Sequence, residues 1–546
     1  MIQEITKTGN RLNPAPAAIT SRHDGKSRWE PWIPFALALV FFLLALRGVG
    51  QTDVIDTDAA RHAMNGAFIY DLVRTGHWAH PVEYAKSYYA QYPALSMPYH
   101  PPLFPAVEAI FFAIFGVNLL TARLLVALCV GLSAALLYRL IRDTLGGPML
   151  ATCVTIASFS LWTVQLVGRD VMLEFPAMVF TLAALYCLRD MSSSFPMRRA
   201  IFFAIFAAMA VWTKQHAVFL GAVPFLDVLA TRRWRRFLEA PFWVGSILFG
   251  AAVLGLITLS RMFHGTGVNQ MSTSTSDVYW ILTRTLPAYF KWAADGLLGL
   301  PGVFAACAIG VYVWGARRRD SAKPNLSLYG AWIVALCGLL VDLGPVSPRY
   351  LFFVFPAFLA VAYAWLFYGC RWLWGAKVAN MAVTGFTVAW VVVGLAAPRD
   401  FLSGPGIAAA TVVDGTPKRV LYVGPADGNF TFAVRAIDPN LRMTIIPAGK
   451  VREKIFDETS IEKFCAHYGI EWVVFENIAG RQYWSSLYPR LQAAGKLVRT
   501  VKLESSRARW QSGTIEIYRL PMSSHHPGGV LELPIPNVGG SIPVKL

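Results

Sequence analysis

The sequence has 546 residues, of which 55% are hydrophobic and only 15% are charged, and 49 Lys+Arg against 32 Asp+Glu give a formal net charge of +17. Soluble domains carry roughly 25% charged residues, so this composition excludes a soluble globular protein, and its hydrophobicity excludes a disordered chain. The basic residues stand in short clusters between apolar segments, where the positive-inside rule explains them better than nucleic-acid binding does. The 7 cysteines are scattered without a C-x-x-C pair, which favours small buried side chains over disulfides or metal ligands.

The first apolar segment follows a polar, basic N-terminus. Residues 1–31 contain several Lys and Arg, Trp32 to Leu46 is almost purely apolar, and no A-x-A cleavage site follows. We therefore expect a cytoplasmic segment 1–31 and a retained first span. Apolar runs predict a mainly α-helical bundle of about 11 to 13 spans, with spans at 32–50, 119–138, 147–166, 171–188, 200–213, 216–230, 240–260, 298–315, 327–343, 350–370 and 377–396.

Alternate connections between these spans carry the basic clusters. The clusters are Arg139/Arg142, Arg189/Arg198/Arg199, Arg232/Arg233/Arg235/Arg236, Arg317/Arg318/Arg319/Lys323 and Arg371/Lys377. This alternation predicts that these connections are cytoplasmic and that the chain after Pro398 lies on the opposite side of the membrane.

The composition changes after Pro398 to alternating strand and helix patterns. Strand-like runs occur at 419–423, 443–446, 471–475, 497–503 and 514–518, and helix-like stretches occur around 430–436 and 461–468. The transmembrane domain is thus expected over 32–398, and a C-terminal extracytoplasmic α/β domain over 399–521. Residues 522–546 are rich in Pro, Gly and Ser and are expected to form a flexible tail.

Most polar residues near the membrane collect on the predicted outer side. The first outer loop, 50–98, is about 50 residues long, far more than a connector needs. It contains Asp56-x-Asp58, Arg61 and His62, and Tyr99-His100 follow it. Residues 59–73 show helical spacing and predict a helix along the membrane surface. Asp56 or Asp58 could alternatively cap that helix.

Three further outer connections carry ionisable residues. Asp170 and Glu174 are four residues apart, so both carboxylates can face one side of a helix. Lys214 with His216, and Arg349 with Tyr350, occupy two other turns. The plainer interpretations are an Arg169–Asp170 interfacial ion pair, a snorkelling anchor at Lys214, and an interfacial belt at Arg349-Tyr350.

Acids and bases that meet at one membrane face suit a group transfer. In such a reaction a carboxylate takes a proton from a hydroxyl while cations hold a leaving phosphate. The sequence has no Walker motif, no G-x-S-x-G, no H-E-x-x-H and no dinucleotide fingerprint. The chemistry indicated is therefore not that of a nucleotide-binding fold.

Several motifs in a fixed order resemble those of the C-type membrane glycosyltransferases, in the branch with the bacterial aminoarabinose lipid A transferase and the protein O-mannosyltransferases. The motifs are Asp58-x-x-Arg61, TGHW at 75–78, HPPL at 100–103, FGVN at 115–118, ARL at 122–124, EFP at 174–176 and Arg349-Tyr350. The resemblance covers about residues 32–396 and implies transfer of a sugar from a polyprenyl phosphate donor to a lipid, glycan or protein acceptor. The reaction would take place at the extracytoplasmic face of the inner (plasma) membrane.

The resemblance also implies roles for particular residues. Asp58 matches the catalytic base, Ala59 stands where a second acid is common, and Asp56 is the substitute base. His100 stands where lysine is frequent, so a phosphate contact there would depend on pH. Some relatives hold a divalent metal between such acids and others use none, so the metal stays open. The remaining substrate-binding candidates are Arg61, His62, Tyr99, Asp170, Glu174, Lys214, His216, Arg349 and Tyr350.

Two other functions remain open on the sequence alone. A transporter or flippase of a lipid-linked sugar would also need a polar membrane cavity, but transporters more often show paired half-repeats, which this sequence lacks. A sensor with an outer ligand-binding domain would leave the membrane carboxylates unexplained. A transferase that uses one base in a single displacement would invert the configuration at the anomeric carbon of the sugar.

Overall fold

The structure is a computed structural model. It describes residues 28–97, 99–191, 193–262, 280–297, 300–318, 324–343, 347–396, 400–457, 461–478, 486–506, 512–521, 530–535 and 540–545. Most of the predicted cytoplasmic segment 1–31, and the Arg319 and Lys323 of one basic cluster, lie outside these residues.

Helices form nearly all of the described chain up to residue 396. In chain order they are α1 Ile33–Leu46, α2 Thr57–Arg74, α3 Pro81–Gln91, α4 Leu103–Phe115, α5 Leu119–Leu145, α6 Pro148–Ser160, α7 Trp162–Gly168, α8 Glu174–Leu188, α9 Met197–Thr213, α10 Val223–Thr231, α11 Ala240–Met262, α12 Leu286–Leu297, α13 Leu300–Arg318, α14 Ser327–Leu343, α15 Phe355–Trp374 and α16 Ala376–Ala396. Short 3₁₀ turns at Gln215–Gly221 and Pro348–Phe353 connect some of them, and a π-helical turn at Ile281–Thr285 precedes α12.

The predicted apolar runs coincide with these helices. Among the described residues, 4 helical segments are long and apolar enough to cross a membrane by length and composition: Glu30–Gln51, Leu119–Leu145, Ala240–Met262 and Ala376–Ala396. Shorter apolar helices accompany them. The predicted fold class, a polytopic helical bundle with a C-terminal α/β part, is therefore confirmed.

Helix α1 shows why the bundle needs lipid around it. Leu37, Phe41 and Ala45 recur every four residues and are buried against the neighbouring helices, whereas Leu39 and Leu43 of the same helix are exposed. A helix that is apolar on every side is typical of a membrane span. The exposed leucines therefore fit contact with hydrocarbon.

The C-terminal part contains a six-stranded mixed sheet in the order β1-β5-β6-β4-β2-β3. Its elements are β1 Leu402–Ser403, α17 Pro405–Val412, β2 Lys418–Val423, α18 Asp427–Ile437, β3 Met443–Pro447, α19 Arg452–Asp457, α20 Ile461–His467, β4 Trp472–Asn477, α21 Tyr488–Ala494, β5 Lys496–Ser505 and β6 Gly513–Arg519. Strands β3, β2 and β4 are parallel, and β6, β5 and β1 continue the sheet in antiparallel pairs. The strand and helix patterns in the sequence thus correspond to real elements.

The predicted flexible tail contains regular structure. Strands β7 Val530–Pro534 and β8 Ser541–Lys545 pair as an antiparallel hairpin, which we call the C-terminal hairpin. Leu531 and Leu533 alternate with exposed residues and are fully buried in the domain core. The expectation of a flexible tail is wrong for this hairpin, because the Pro/Gly/Ser-rich composition hid a short alternating strand pattern.

Helix α2 of the first loop is present, but it is enclosed rather than lying on a surface. Gly66 packs so closely on Glu108 of α4 that a Cβ at this position would overlap the Glu108 carboxylate. On its other side α2 packs against α18 of the C-terminal domain. The predicted surface helix is therefore the layer between the membrane bundle and the C-terminal sheet.

A buried ion pair joins α2 to this domain. Arg435 donates to Asp71 through Nε (2.7 Å) and Nη2 (2.5 Å), and the Tyr88 hydroxyl donates to the same carboxylate at 3.0 Å. The side chains of Arg435 and Asp71 are 2% and 0% exposed. Since a buried charge is costly without its partner, this bidentate pair fixes how the domain sits on α2.

We predict that Arg435→Met lowers the free energy of unfolding by about 3 to 5 kcal/mol, because it leaves the Asp71 carboxylate buried and charged without its main partner. Thermal unfolding in detergent measures the change. The matched control is Arg74→Gln, since Arg74 pairs with the same carboxylate at 3.2 Å but is 36% exposed and should cost less than about 1 kcal/mol. Equal losses in the two variants would contradict the account.

Candidate active site

The first turn of α2 carries the acids of the D-x-D motif. Asp56 is the N-cap residue, and its Oδ1 accepts the backbone N–H of Asp58 at 3.0 Å. This is the usual role of an aspartate at a helix start. The side chain of Asp58 is turned elsewhere, towards Arg349, and it remains 26% exposed. The motif therefore separates into a capping residue and a residue that faces the site.

A second buried pair supports the backbone just before this turn. Asp170 accepts the backbone N–H groups of Ile55 (3.1 Å) and Asp56 (2.8 Å), and Arg123 Nη2 lies 3.5 Å from it. Arg123 also donates to the backbone carbonyls of residues 49, 52 and 53. These contacts hold the loop that leads into α2, so Asp170 positions the site and its ion-pair partner is Arg123.

Asp170 and Glu174 do not share a helix face as their spacing predicted. Helix α8 begins only at Glu174, and Asp170 belongs to the turn before it. Residues four positions apart face the same side only where both are helical, and Asp170 is not. The two carboxylates point to different partners, and only Glu174 meets the predicted cations.

Two ion pairs form the centre of the site. Arg349 Nη2 donates to Asp58 Oδ2 at 2.6 Å, and Lys214 Nζ donates to Glu174 Oε1 at 2.6 Å. Arg349 Nε lies 3.7 Å from the same Glu174 oxygen, so the pairs are linked into one network of four charges. Arg61 Nη1 adds a longer contact of 3.4 Å to Asp58 Oδ1.

The burial of Lys214 rules out the interpretation of this residue as a snorkelling membrane anchor. Lys214 is only 6% exposed and Glu174 is fully buried, whereas a snorkelling lysine keeps its head group in water. Lys214 lies 5.5 Å from the ring centre of Tyr350, and Arg349 lies 5.8 Å from it. Arg349 and Tyr350 therefore belong to the charged network and not merely to an interfacial belt.

Two histidines, one in the first loop and one just after it, line the site as neutral rings. His62 and His100 pack at 4.5 Å between ring centres, and Tyr99 packs on His100 at 4.7 Å. Burial lowers the pKa of His62 to about 3, although the nearby Asp58 charge opposes this shift. Burial and the neighbouring His62 also hold the pKa of His100 well below its ordinary value. His100 thus offers a neutral ring rather than a positive charge.

The Asp58 carboxyl is ionised but electrostatically satisfied. Burial raises its pKa, but the Arg349 guanidinium and its hydrogen bond outweigh burial and hold the pKa well below the usual range. A carboxylate in such a pair is a poor proton acceptor until its cation moves away. The basicity of Asp58 therefore depends on where Arg349 lies.

Several buried polar atoms around these pairs have no hydrogen-bond partner in the described part of the chain. They are Nδ1 of His62, His100 and His216, Oε2 of Glu174 and Nε of Arg349. The His216 ring packs on Tyr350 at 4.2 Å, so it belongs to the same cluster. Buried polar groups are normally hydrogen-bonded, and a concentration of unpaired ones marks a place where a substrate or water completes the bonding.

The acids of the site do not fit a metal ion. No group of 3 or more His, Cys, Asp or Glu side chains converges among the residues that the structure describes. Asp58 and Glu174 each have a cation as the nearest partner. Two carboxylates already paired in this way lack the open set of oxygen ligands that Mg²⁺ or Ca²⁺ requires.

The structure also assigns positions to residues that the sequence left without a role. Asp53 Oδ2 accepts the N–H groups of Gly404 (3.0 Å) and Gly406 (3.1 Å) at the start of α17, and Gln215 Nε2 donates to the Tyr99 carbonyl at 2.6 Å. Arg123 stands in one of the motifs, which was the only available signal for it. Nothing in the sequence pairs Asp53 with residues about 350 positions away.

Part of the chain is similar in sequence to a family of known proteins. The family described as Dolichyl-phosphate-mannose-protein mannosyltransferase matches residues 99–261, which include Tyr99, His100, Asp170, Glu174 and Lys214. No curated protein sequence matches the chain. The match therefore covers the middle of the membrane bundle and part of the candidate site.

Solved structures extend the similarity to nearly the whole chain. The crystal structure of ArnT from Cupriavidus metallidurans bound to undecaprenyl phosphate has a TM-score of 0.57 and 17% sequence identity, covering 92% of this chain and 100% of that chain. Arabinofuranosyltransferase AftD from Mycobacteria has a TM-score of 0.50 and 13% identity, covering 92% of this chain and 42% of that chain. The fold is that of the GT-C membrane glycosyltransferases, which confirms the resemblance seen in the motifs.

We predict that acid destabilises the protein partly through His62. The unfolded chain binds a proton at His62 near pH 6.5, whereas the folded protein does so only near pH 3. Stability is therefore fully present above the unfolded pKa and is lost as the pH falls towards the folded pKa. His62→Gln should reduce the fall in unfolding temperature between about pH 7 and pH 5. His80→Gln, at a ring that is 79% exposed, is the control, and identical pH slopes in wild type and His62→Gln would refute the prediction.

Proposed function

We propose that the protein is an integral-membrane glycosyltransferase that transfers a sugar from a polyprenyl phosphate donor to an acceptor hydroxyl with inversion. The observation that carries the proposal is the network in which Asp58 faces Arg349 and Glu174 faces Lys214. A base and two cations within one partly buried cluster are what transfer from a sugar phosphate requires. The GT-C fold agrees with this proposal.

The reaction is a single displacement. The acceptor oxygen attacks the anomeric carbon as the bond from that carbon to the phosphate oxygen breaks, and the phosphate leaves with the bonding electron pair. The hydroxyl proton passes to the Asp58 carboxylate. Arg349 and Lys214 neutralise the charge that develops on the leaving phosphate, in a site where few waters compete for it.

Donor binding also switches on the base. Arg349 Nη2 donates to Asp58 Oδ2 at 2.6 Å. A donor phosphate competes with Asp58 for the guanidinium, since the planar guanidinium of arginine can bind two oxygens of a phosphate as well as those of a carboxylate. When Arg349 turns to the phosphate, the pKa of Asp58 rises. Proton transfer is then favoured only when the donor is present.

The proposed site faces the extracytoplasmic side of the inner membrane. The basic connections predict this orientation for the first outer loop and for the C-terminal domain. Nucleotide sugars are not available there, so an activated sugar must arrive on a lipid. A transporter or flippase would move the same lipid without breaking the sugar–phosphate bond, and release of polyprenyl phosphate by purified protein distinguishes the two functions.

We predict that Asp58→Asn lowers the rate of sugar transfer by about 10²–10⁴-fold, because an amide cannot accept the acceptor's proton. Transfer from a radiolabelled polyprenyl phosphate sugar by the purified protein measures the loss. The matched control is Asp56→Asn, since asparagine caps a helix as well as aspartate does and this variant should keep most of the activity. Inactive Asp56→Asn with active Asp58→Asn would move the base to Asp56.

We predict that Lys214 contributes to donor binding beyond its structural pairing. Lys214→Met alone should destabilise the protein by about 3 to 5 kcal/mol, because it leaves Glu174 buried without its closest cation. The double variant Lys214→Met/Glu174→Gln should recover stability, yet its KM for the donor should stay raised. A double variant with the donor KM of the wild type would show that Lys214 serves the fold alone.

A further inference from the structure

A mostly apolar cavity of about 370 Å³ lies beside the candidate active site. Its walls come from α2, α3, the segment 95–102, the 3₁₀ turn that contains Gln215, the C-terminal end of α11 and the C-terminal hairpin. Phe68, Val82, Leu256, Ile535 and Ile542 give it an apolar surface. The cavity thus lies where the first loop, the helical bundle and the C-terminal hairpin meet.

The hairpin forms one wall of this cavity and is held in place. Leu531 and Leu533 anchor it in the core of the domain, to which Ile542 also belongs, and Ile535 and Ile542 line the cavity. The Tyr89 hydroxyl of α3 donates to the Pro534 carbonyl at 2.8 Å. The segment that the composition suggested to be a loose tail is therefore a fixed structural wall.

The cavity ends at the residues that surround the proposed base. Tyr99, His100 and Gln215 line it, whereas Lys214 and Arg349 do not. His100 packs on His62, which lies one helical turn after Asp58 on α2. A molecule in the cavity would therefore approach the reaction from the side of the base, and the phosphate cations lie outside it.

One wall of the cavity belongs to α11, a helix that is long and apolar enough to cross a membrane. Leu256 and Leu259 of α11 line it, and the same helix exposes Ile247 (65%) and Leu254 (63%) in the manner of a lipid-facing surface. The apolar side chains of the lining would bury a hydrocarbon chain away from water, which the hydrophobic effect favours. A hydrophilic peptide or glycan would gain nothing from such a lining.

We propose that this cavity binds a hydrocarbon chain of a lipid acceptor and that the C-terminal hairpin closes the cavity around it. This inference rests on the proposed function and names its acceptor class. The donor chain is a poorer occupant, because the cations proposed for the donor phosphate are not in the lining. The cavity lies at the lower end of the range of about 300–1,000 Å³ for small-molecule pockets, which suits part of a single chain.

The test is photo-crosslinking in living cells with p-benzoylphenylalanine in place of Ile542, in the full-length protein. We expect an adduct whose mass, after digestion, corresponds to an acyl-chain lipid. The cavity-filling substitution Ile535→Trp should reduce this adduct about tenfold. The same substitution should leave unchanged the lipid adducts formed from position 254, which faces the bilayer, and Val530→Trp on the exposed face of the hairpin should reduce neither.

Each alternative result overturns the inference. A polyprenyl adduct at position 542 would assign the cavity to the donor, and a peptide adduct would assign it to a protein acceptor. No adduct, or an acyl-lipid adduct that Ile535→Trp leaves unchanged, would remove the cavity as a binding site. Transfer activity is measured separately on the wild-type protein. Loss of the proposed function is therefore distinguishable, since an acyl-lipid adduct with no sugar transfer would contradict the transferase and not the lipid site.

Discussion

Arg435 of the C-terminal domain and Asp71 of α2 form a bidentate ion pair in a place that excludes water. Helix α2 also carries Asp58, Arg61 and His62, so the contact that orients the domain also orients the proposed base. The Asp53 carboxylate also ties the loop before α2 to the start of α17, because it accepts two backbone N–H groups there. The C-terminal domain is therefore part of the framework of the candidate active site.

The need to compensate buried charge also governs the candidate active site. Charges in a low-dielectric cluster must be compensated, and here Asp58 and Glu174 compensate Arg349 and Lys214. A lipid phosphate brings a competing negative charge, which the two cations can share only if they loosen their hold on the acids. The proposed mechanism thus links the basicity of Asp58 to the arrival of the donor.

The sequence predicted the helical bundle well because a lipid environment imposes long apolar runs. It also selected Asp58, Lys214 and Arg349, which stand on three separate connections and meet in the structure. It could not predict that Asp170 pairs with Arg123, since the start of α8 decides which way that carboxylate points. It also missed the hairpin, whose few alternating residues are too short a pattern to read.

The most direct test of the central claim is a cryo-EM structure of the full chain with a non-transferable polyprenyl phosphate sugar. The account predicts that the donor phosphate lies within ion-pair distance, about 4 Å, of both Arg349 and Lys214. It also predicts that the contact between Arg349 and Asp58 is broken, leaving Asp58 facing the anomeric carbon from the acceptor side. A phosphate bound away from both cations, with the Arg349–Asp58 pair intact, would contradict it.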